Sequence, residues 1–132
     1  MKTIFVNGCF DILHRGHIEL LMHAESLGDR VVVGLDSDSR IKEMKGSTRP
    51  INKQLDRKLL VESLRCVDKA YLFDSDAELE ILIDSIKPDT MIVGEEYMNK
   101  KVVGHRPNIK LEFFPKIHGY STTKTVKDFT TR

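Results

Sequence analysis

The sequence predicts an α/β fold, an open parallel five-stranded sheet with helices on both faces. Three observations carry that reading. Apolar runs of strand length alternate with segments of helical periodicity along the chain. The stretch from Ile4 to Leu35 already contains strand, loop, helix and strand, a βαβ unit that implies parallel strands and a right-handed crossover. No internal repeat, low-complexity segment or linker interrupts the alternation, so the 132 residues are expected to form one domain, 1–132.

Each element has its own signal. Ile4-Phe5-Val6, ending at Asn7-Gly8, reads as a buried first strand. Ile18, Leu20, Leu21, Ala24 and Leu27 recur at helical spacing and predict a helix over His17 to Leu27, stopped by Gly28. Val31-Val32-Val33-Gly34-Leu35 gives a second buried strand over Arg30 to Leu35. Asp36 to Asn52 is polar, carries Lys42, Lys45, Arg49 and Pro50, and holds a short helix at most before a loop. Lys53 to Leu64 reads as a helix with Leu55, Leu59, Leu60 and Leu64 on one face. Ala70 to Phe73 suits a third strand and Ala77 to Ile86 a helix, broken by Lys87-Pro88-Asp89. Thr90 to Val93 and Lys110 to Phe114 complete the sheet, with a polar loop from Gly94 to Asn108 between them. Ser121 to Phe129 reads as a short final helix. In such sheets ligands bind beyond the carboxyl ends of the strands, where strand order reverses. The loops after strands one, two, four and five are therefore the places to expect a site.

Composition narrows the function. Charged residues make up 31% and hydrophobic ones 40%, as in an ordinary globular protein. The net charge of +1, from 21 basic and 20 acidic side chains, creates no overall field for nucleic acid or a membrane surface. Charge for binding phosphate must be local. Cys9 and Cys66 have no CxxC partner and are expected to be free thiols in a reducing cytoplasm. Together with five scattered histidines they make no zinc site, and no protein metal ligand is expected. No apolar run reaches the length of a signal or membrane segment, so a cytoplasmic location is expected.

The loop after the first strand reads Gly8-Cys9-Phe10-Asp11-Ile12-Leu13-His14-Arg15-Gly16-His17. Gly8 lets backbone approach a phosphate closely. Gly16 precedes a helix whose free N–H groups make an anion site. His14 and His17 flank that glycine and can be aimed at one phosphate group, where imidazole donors stabilise charge on the equatorial oxygens of an attacked phosphorus. A single histidine at a helix start is more often a cap, and a single glycine after a strand more often a turn. Two glycines, an aromatic, an acid and two histidines at fixed spacing in one strand-to-helix loop make a functional motif.

These residues match the GxFDxxHxGH form of the HxGH signature, and the chain resembles the cytidylyltransferase-like nucleotidyltransferase superfamily. Gly119-Tyr120-Ser121-Thr122-Thr123-Lys124 resembles that family's second element, placed to open the last helix. The two motifs lie near opposite ends, so the resemblance covers essentially the whole chain. Lys45-Gly46-Ser47-Thr48-Arg49-Pro50-Ile51-Asn52, followed by Asp56-Arg57, is most similar to heptose 1-phosphate adenylyltransferase domains. Leu64-Arg65-Cys66-Val67-Asp68 and Lys100-Lys101-Val102-Val103-Gly104 point the same way. Glycerol-3-phosphate cytidylyltransferases come next. They carry an arginine three residues before the glycine of the second motif, where this chain has Lys116, which lacks the bidentate fork.

The resemblance implies a Rossmann-like sheet and a direct transfer. The acceptor phosphate attacks the nucleotide α-phosphorus in line and pyrophosphate leaves, with no covalent intermediate. His14, His17 and Lys45 are the catalytic candidates. Gly8, Cys9, Phe10, Gly16, Ser121, Thr122 and Thr123 are expected on the nucleotide, and Asp11, Arg57 and Lys116 on the acceptor. Asp11 can equally orient a loop N–H. Lys45, Arg49, Asn52 and Arg57 together would offer a sugar phosphate its cations and polar partners. Magnesium is expected with the triphosphate, and a homodimer by resemblance, with Leu64 to Asp68 at the contact. The expected partners are a nucleoside triphosphate and a phosphorylated small molecule, the favoured pair being ATP and a heptose 1-phosphate-type sugar phosphate, with CTP and glycerol 3-phosphate as the alternative. A non-catalytic nucleotide sensor is the rival of another class, and the intact histidine pair speaks against it. A hydride-transfer enzyme would need the GxGxxG pattern, which the first loop lacks. Adenylyl transfer to pantetheine phosphate or a flavin is weighed against by the Arg-Pro-Ile segment.

Overall fold

Thr3 to Val6 form the buried centre of the protein. The structure, a computed structural model, describes residues 1–115, so Lys116, Ser121, Thr122, Thr123 and the expected final helix lie outside the described residues. The first strand, β1 (Thr3–Gly8), is followed by α1 (Arg15–Leu27), β2 (Arg30–Asp36), α2 (Asp38–Lys45), α3 (Gln54–Glu62), β3 (Lys69–Phe73), α4 (Asp76–Ile86), β4 (Thr90–Gly94) and β5 (Lys110–Phe114), with a 3-10 turn at Glu95–Tyr97. All pairings are parallel and the order is β3-β2-β1-β4-β5. The chain steps outward from β1 to β2 and β3, then crosses to the other side of β1 at β4. That reversal opens a crevice between the carboxyl ends of β1 and β4.

Alternation along the strands divides the core. Ile4, Val6, Val31, Val33 and Leu35 point to the face covered by α1 and α3, through Leu21, Ala24 and Val61. Phe5, Val32 and Met91 point to the face covered by α4, through Leu79 and Ile83. The sheet thus has helices on both faces, as expected. Cys66 and Val67, expected near a subunit contact, pack into the chain's own core, and Asp68 accepts a hydrogen bond from the Val31 N–H at 2.7 Å.

Side-chain caps mark the starts of α2 and α4. Ser37 Oγ accepts from Arg40 N–H to start α2, and Gly46, at φ 101°, ends it in a conformation that favours glycine. Ser75 caps α4 in the same way through Glu78 N–H. The expected polar stretch after β2 therefore contains a full eight-residue helix. Gly28 stops α1 for a reason other than left-handed geometry: a Cβ there would lie 2.8 Å from the Lys2 carbonyl oxygen.

The face of α3 departs from expectation. Leu55 and Leu59 are each 70% exposed, while Arg57 and Val61 point inward. Leu64, just beyond the helix, does pack against the core. The Arg57 guanidinium finds hydrogen-bond acceptors inside the protein, and the face that carries it turns inward with Val61 while the leucine stripe faces solvent. Among the described residues no helix is long and apolar enough to cross a membrane.

Replacing Leu21 by Ala is expected to cost about 2–5 kcal/mol, whereas Leu59→Ala should change stability by less than about 0.5 kcal/mol. Urea denaturation checks both, and equal losses would show that solvent does not see the outer face of α3.

Candidate active site

The loop between β1 and α1 is strained and externally tied. Phe10 and Ile12 both adopt positive φ, 50° and 52°, a region that costs a non-glycine residue about 1–3 kcal/mol. Asp11, almost fully buried, holds the loop. Its two carboxylate oxygens accept from the Ile51 and Asn52 N–H groups at 2.7 and 2.8 Å. Arg57 holds it from below. One terminal nitrogen donates to the carbonyls of Cys9 (2.9 Å) and Asp36 (2.7 Å), Nε donates to the Asn52 carbonyl (3.0 Å), and the other terminal nitrogen donates to Asp38 Oδ1 (2.9 Å).

These contacts correct the acceptor roles expected of Asp11 and Arg57. Arg57 is 0% exposed, and neither side chain lines the cavity described below. Their polar groups hold the protein's own backbone. Arg49, another residue offered to the acceptor, is buried as well, with Nε 3.7 Å from Asp11 Oδ2. Of the two readings of Asp11, orienting loop N–H groups is the one the geometry carries.

His14 and His17 form one unit. His14 caps α1, its Nδ1 accepting from the Gly16 N–H at 3.0 Å, and His17 Nδ1 accepts from the His14 N–H at 3.2 Å. The rings stack with centroids 3.9 Å apart, and Phe10 tilts against His17 at 5.2 Å. Because each Nδ1 accepts, each neutral ring carries its proton on Nε2. Of the N–H groups at the start of α1, where an anion site was expected, that of Gly16 is taken by His14. Burial lowers the pKa of His14, and burial together with the His14 and Lys45 charges lowers that of His17 to about 4. Both rings are neutral donors at pH 7.

A cavity of about 710 Å³ opens beyond the carboxyl ends of β1 and β4. It gathers Gly8, Cys9, Phe10, His14, Gly16, His17 and Lys45, every described residue expected on the nucleotide or in catalysis. Lys45, the last residue of α2, is exposed and close enough for its charge to act on both His17 and Cys9. Gly8 has a packing duty too, because a Cβ there would meet the Phe10 ring at 3.1 Å. Cys9 Sγ lies 3.6 Å from Asp36 Oδ2, and burial followed by that carboxylate pushes the thiol pKa up.

Other lining residues went unread in the sequence. Asp36, Arg40 and Met44 form one wall, and Glu96, Tyr97 and Lys101 another. Asp36 ends β2, where a ligand-facing residue was to be sought, and Arg40 follows it at i+4, so their pairing had a local signal. The residues after β4 lie in a loop whose course no periodicity announces.

The cytidylyltransferase-like family model matches residues 5–127. The bifunctional protein HldE of Helicobacter pylori is 44% identical over 126 residues, covering 96% of this chain and 27% of that protein. That of Campylobacter concisus is 45% identical, covering 96% of this chain and 26% of its own. The chain thus spans about a quarter of the length of these relatives. The crystal structure of the lipopolysaccharide core biosynthesis protein from Thermoplasma volcanium is similar with a TM-score of 0.70 and 28% identity, over 89% of this chain and 97% of that one.

The histidine pair sets a pH dependence. The His17 pKa lies at about 4 in the folded protein against the ordinary histidine value of 6.5, so between those values the unfolded chain binds a proton that the fold excludes. The stability it contributes is complete above pH 6.5 and is lost as pH falls toward 4. His17→Asn should flatten this part of the stability profile in chemical denaturation. An unchanged profile would mean that the ring is solvated and the buried assignment wrong.

Proposed function

The chain belongs to the cytidylyltransferase-like family, and on that premise we propose that it is a nucleotidyltransferase joining a nucleoside triphosphate to a phosphorylated small molecule. The favoured pair is ATP and a heptose 1-phosphate-type sugar phosphate, giving an ADP-sugar and pyrophosphate. The observation that carries the reading is the stacked His14–His17 pair at the start of α1, sharing one cavity with Lys45.

The chemistry follows from those groups. An oxygen of the acceptor phosphate attacks the α-phosphorus in line, a new P–O bond forms, and the bond to the pyrophosphate oxygen breaks. Negative charge concentrates on the oxygens around the α-phosphorus. The two Nε2–H groups and the Lys45 ammonium act on that charge, and their benefit is larger because the imidazoles need no reorganisation. Gly8, Cys9, Phe10 and Gly16 shape the nucleotide side. Ser121, Thr122 and Thr123 hold the outer phosphates and Lys116 the acceptor in this reading.

Magnesium would neutralise the polyphosphate when bound. Among the described residues no three His, Cys, Asp or Glu side chains are grouped to hold a metal ion. Both Asp11 oxygens already hold backbone N–H groups. The described residues therefore make no cage for the ion, and it would enter with the nucleotide.

The preference for a sugar phosphate rests on the resemblance of Lys45 to Arg57 to heptose 1-phosphate adenylyltransferase domains. The identity to HldE proteins and the likeness to a lipopolysaccharide core biosynthesis protein support it. Arg49 and Arg57 are both buried and add no direct ligand for the acceptor. A homodimer and a cytoplasmic location belong to the same proposal.

His14→Ala and His17→Ala are each expected to lower turnover about a hundredfold, with circular dichroism showing a retained fold; near-normal turnover in either would remove its assigned role. Pyrophosphate release with ATP plus heptose 1-phosphate is expected to exceed that with CTP plus glycerol 3-phosphate under the same conditions. The reverse preference would sink the heptose assignment and leave nucleotidyl transfer standing.

A further inference from the structure

The wall of the cavity formed by β2 and α2 carries an unusually fixed arginine. Arg40 donates through Nε to Asp36 Oδ1 at 2.8 Å and through a terminal nitrogen to Asp76 Oδ1 at 2.6 Å. Its guanidinium carbon lies 5.3 Å from the centre of the Phe73 ring, within cation–π range. Two carboxylates and an aromatic ring therefore set the plane of the guanidinium. Arginine has five N–H donors, and among the described residues these bonds engage two of Arg40's. Arg40 and Asp36 both line the cavity.

The charges here differ from those at the histidines. Counted formally, Arg40 with Asp36 and Asp76 sums to one negative charge, whereas Lys45, with no ion pair among the described residues, brings a positive charge beside neutral imidazoles. A guanidinium balanced in this way offers directed donors without the field that attracts a phosphate. The adjacent Asp36 carboxylate offers acceptors. A hydroxyl group both donates and accepts, so a polyol matches this wall and a second phosphate does not.

Distance along the helix fixes which part of a substrate would meet it. Arg40 stands five residues before Lys45 on α2, a rise of about 7.5 Å. With the transferred phosphate at Lys45, a sugar ring attached to it extends along that span.

We propose that Asp36, Arg40 and Asp76 form the element that reads the hydroxyl groups of the acceptor sugar, selecting a neutral polyhydroxy body behind a single phosphate. This rests on the nucleotidyltransferase reading above and adds the residues that choose the acceptor. Arg40 and Asp36 contact the sugar. Asp76, largely exposed, is a positioning residue that orients Arg40 and balances its charge.

The test is steady-state pyrophosphate release by the full chain with ATP and heptose 1-phosphate. Release by the wild type tests the underlying reading, and its absence would overturn that reading and this inference with it. Given release, Arg40→Met should raise KM for the sugar phosphate by about tenfold or more, the scale of losing hydrogen bonds from a charged donor. KM for ATP should stay within about twofold. A rise in KM for ATP as large as that for the sugar phosphate would overturn the assignment to the acceptor. Asp76→Asn, at an exposed position, keeps the fold and removes one negative charge. It should make the same sugar bearing a second, distal phosphate a several-fold better competitive inhibitor. Unchanged inhibition would overturn the charge argument, and this arm decides if Arg40→Met fails to fold.

Discussion

The geometry of the site depends on one buried cation. Arg57 sits with no exposure beneath the loops that carry the chemistry, and its guanidinium joins the carbonyls of Cys9, Asp36 and Asn52 to the Asp38 carboxylate. A charge buried this deeply is tolerable only if its donors are matched. The matching fixes three segments relative to one another: the loop leaving β1, the turn from β2 into α2, and the approach to α3. Asp11 completes the clamp from the opposite side through Ile51 and Asn52. The positive φ values of Phe10 and Ile12 persist because these contacts over-determine the loop.

Around that clamp the cavity is divided by chemistry. The end at α1 is lined by two neutral imidazoles, with a lysine sharing their cavity. The wall formed by β2 and α2 presents an arginine balanced by carboxylates. The sheet brings both to the same crevice because strand order reverses at β1, and α1 and α2 start from neighbouring strand ends. A substrate with a phosphate at one end and hydroxyls along its body is complementary to such a division. Apolar residues such as Leu79, Val102, Val103 and Phe114 complete the enclosure.

Much of this was legible in the sequence, and the reasons differ by residue. Strand order aside, the elements were readable because their apolar periods are local. The histidine pair was readable because both residues belong to one turn, and the structure makes them a cap as well as a lining of the cavity, so the two readings were not exclusive. Arg57 was misread because its partners come from residues 9, 36, 38 and 52, a set no local pattern reveals. Asp11 was given two readings, and its true partners lie about forty residues away. The leucines of α3 repeat at helical spacing, yet periodicity alone does not say which stripe turns inward when a buried arginine competes.

The caps on the two imidazoles restrict what the rings themselves can do with a proton. A neutral histidine has one basic lone pair, and here the lone pair on each ring faces a backbone N–H that cannot take a proton. Cys9, the nearby thiol, is held protonated by its surroundings. Neither ring is therefore available as a general base, so an alcohol brought into the cavity would find no imidazole to take its proton. Oxygen that arrives already ionised, as on a phosphate or carboxylate, needs no such help. In the proposed reaction the helix cap thus leaves both rings able to donate a proton's hydrogen bond and unable to take the proton itself.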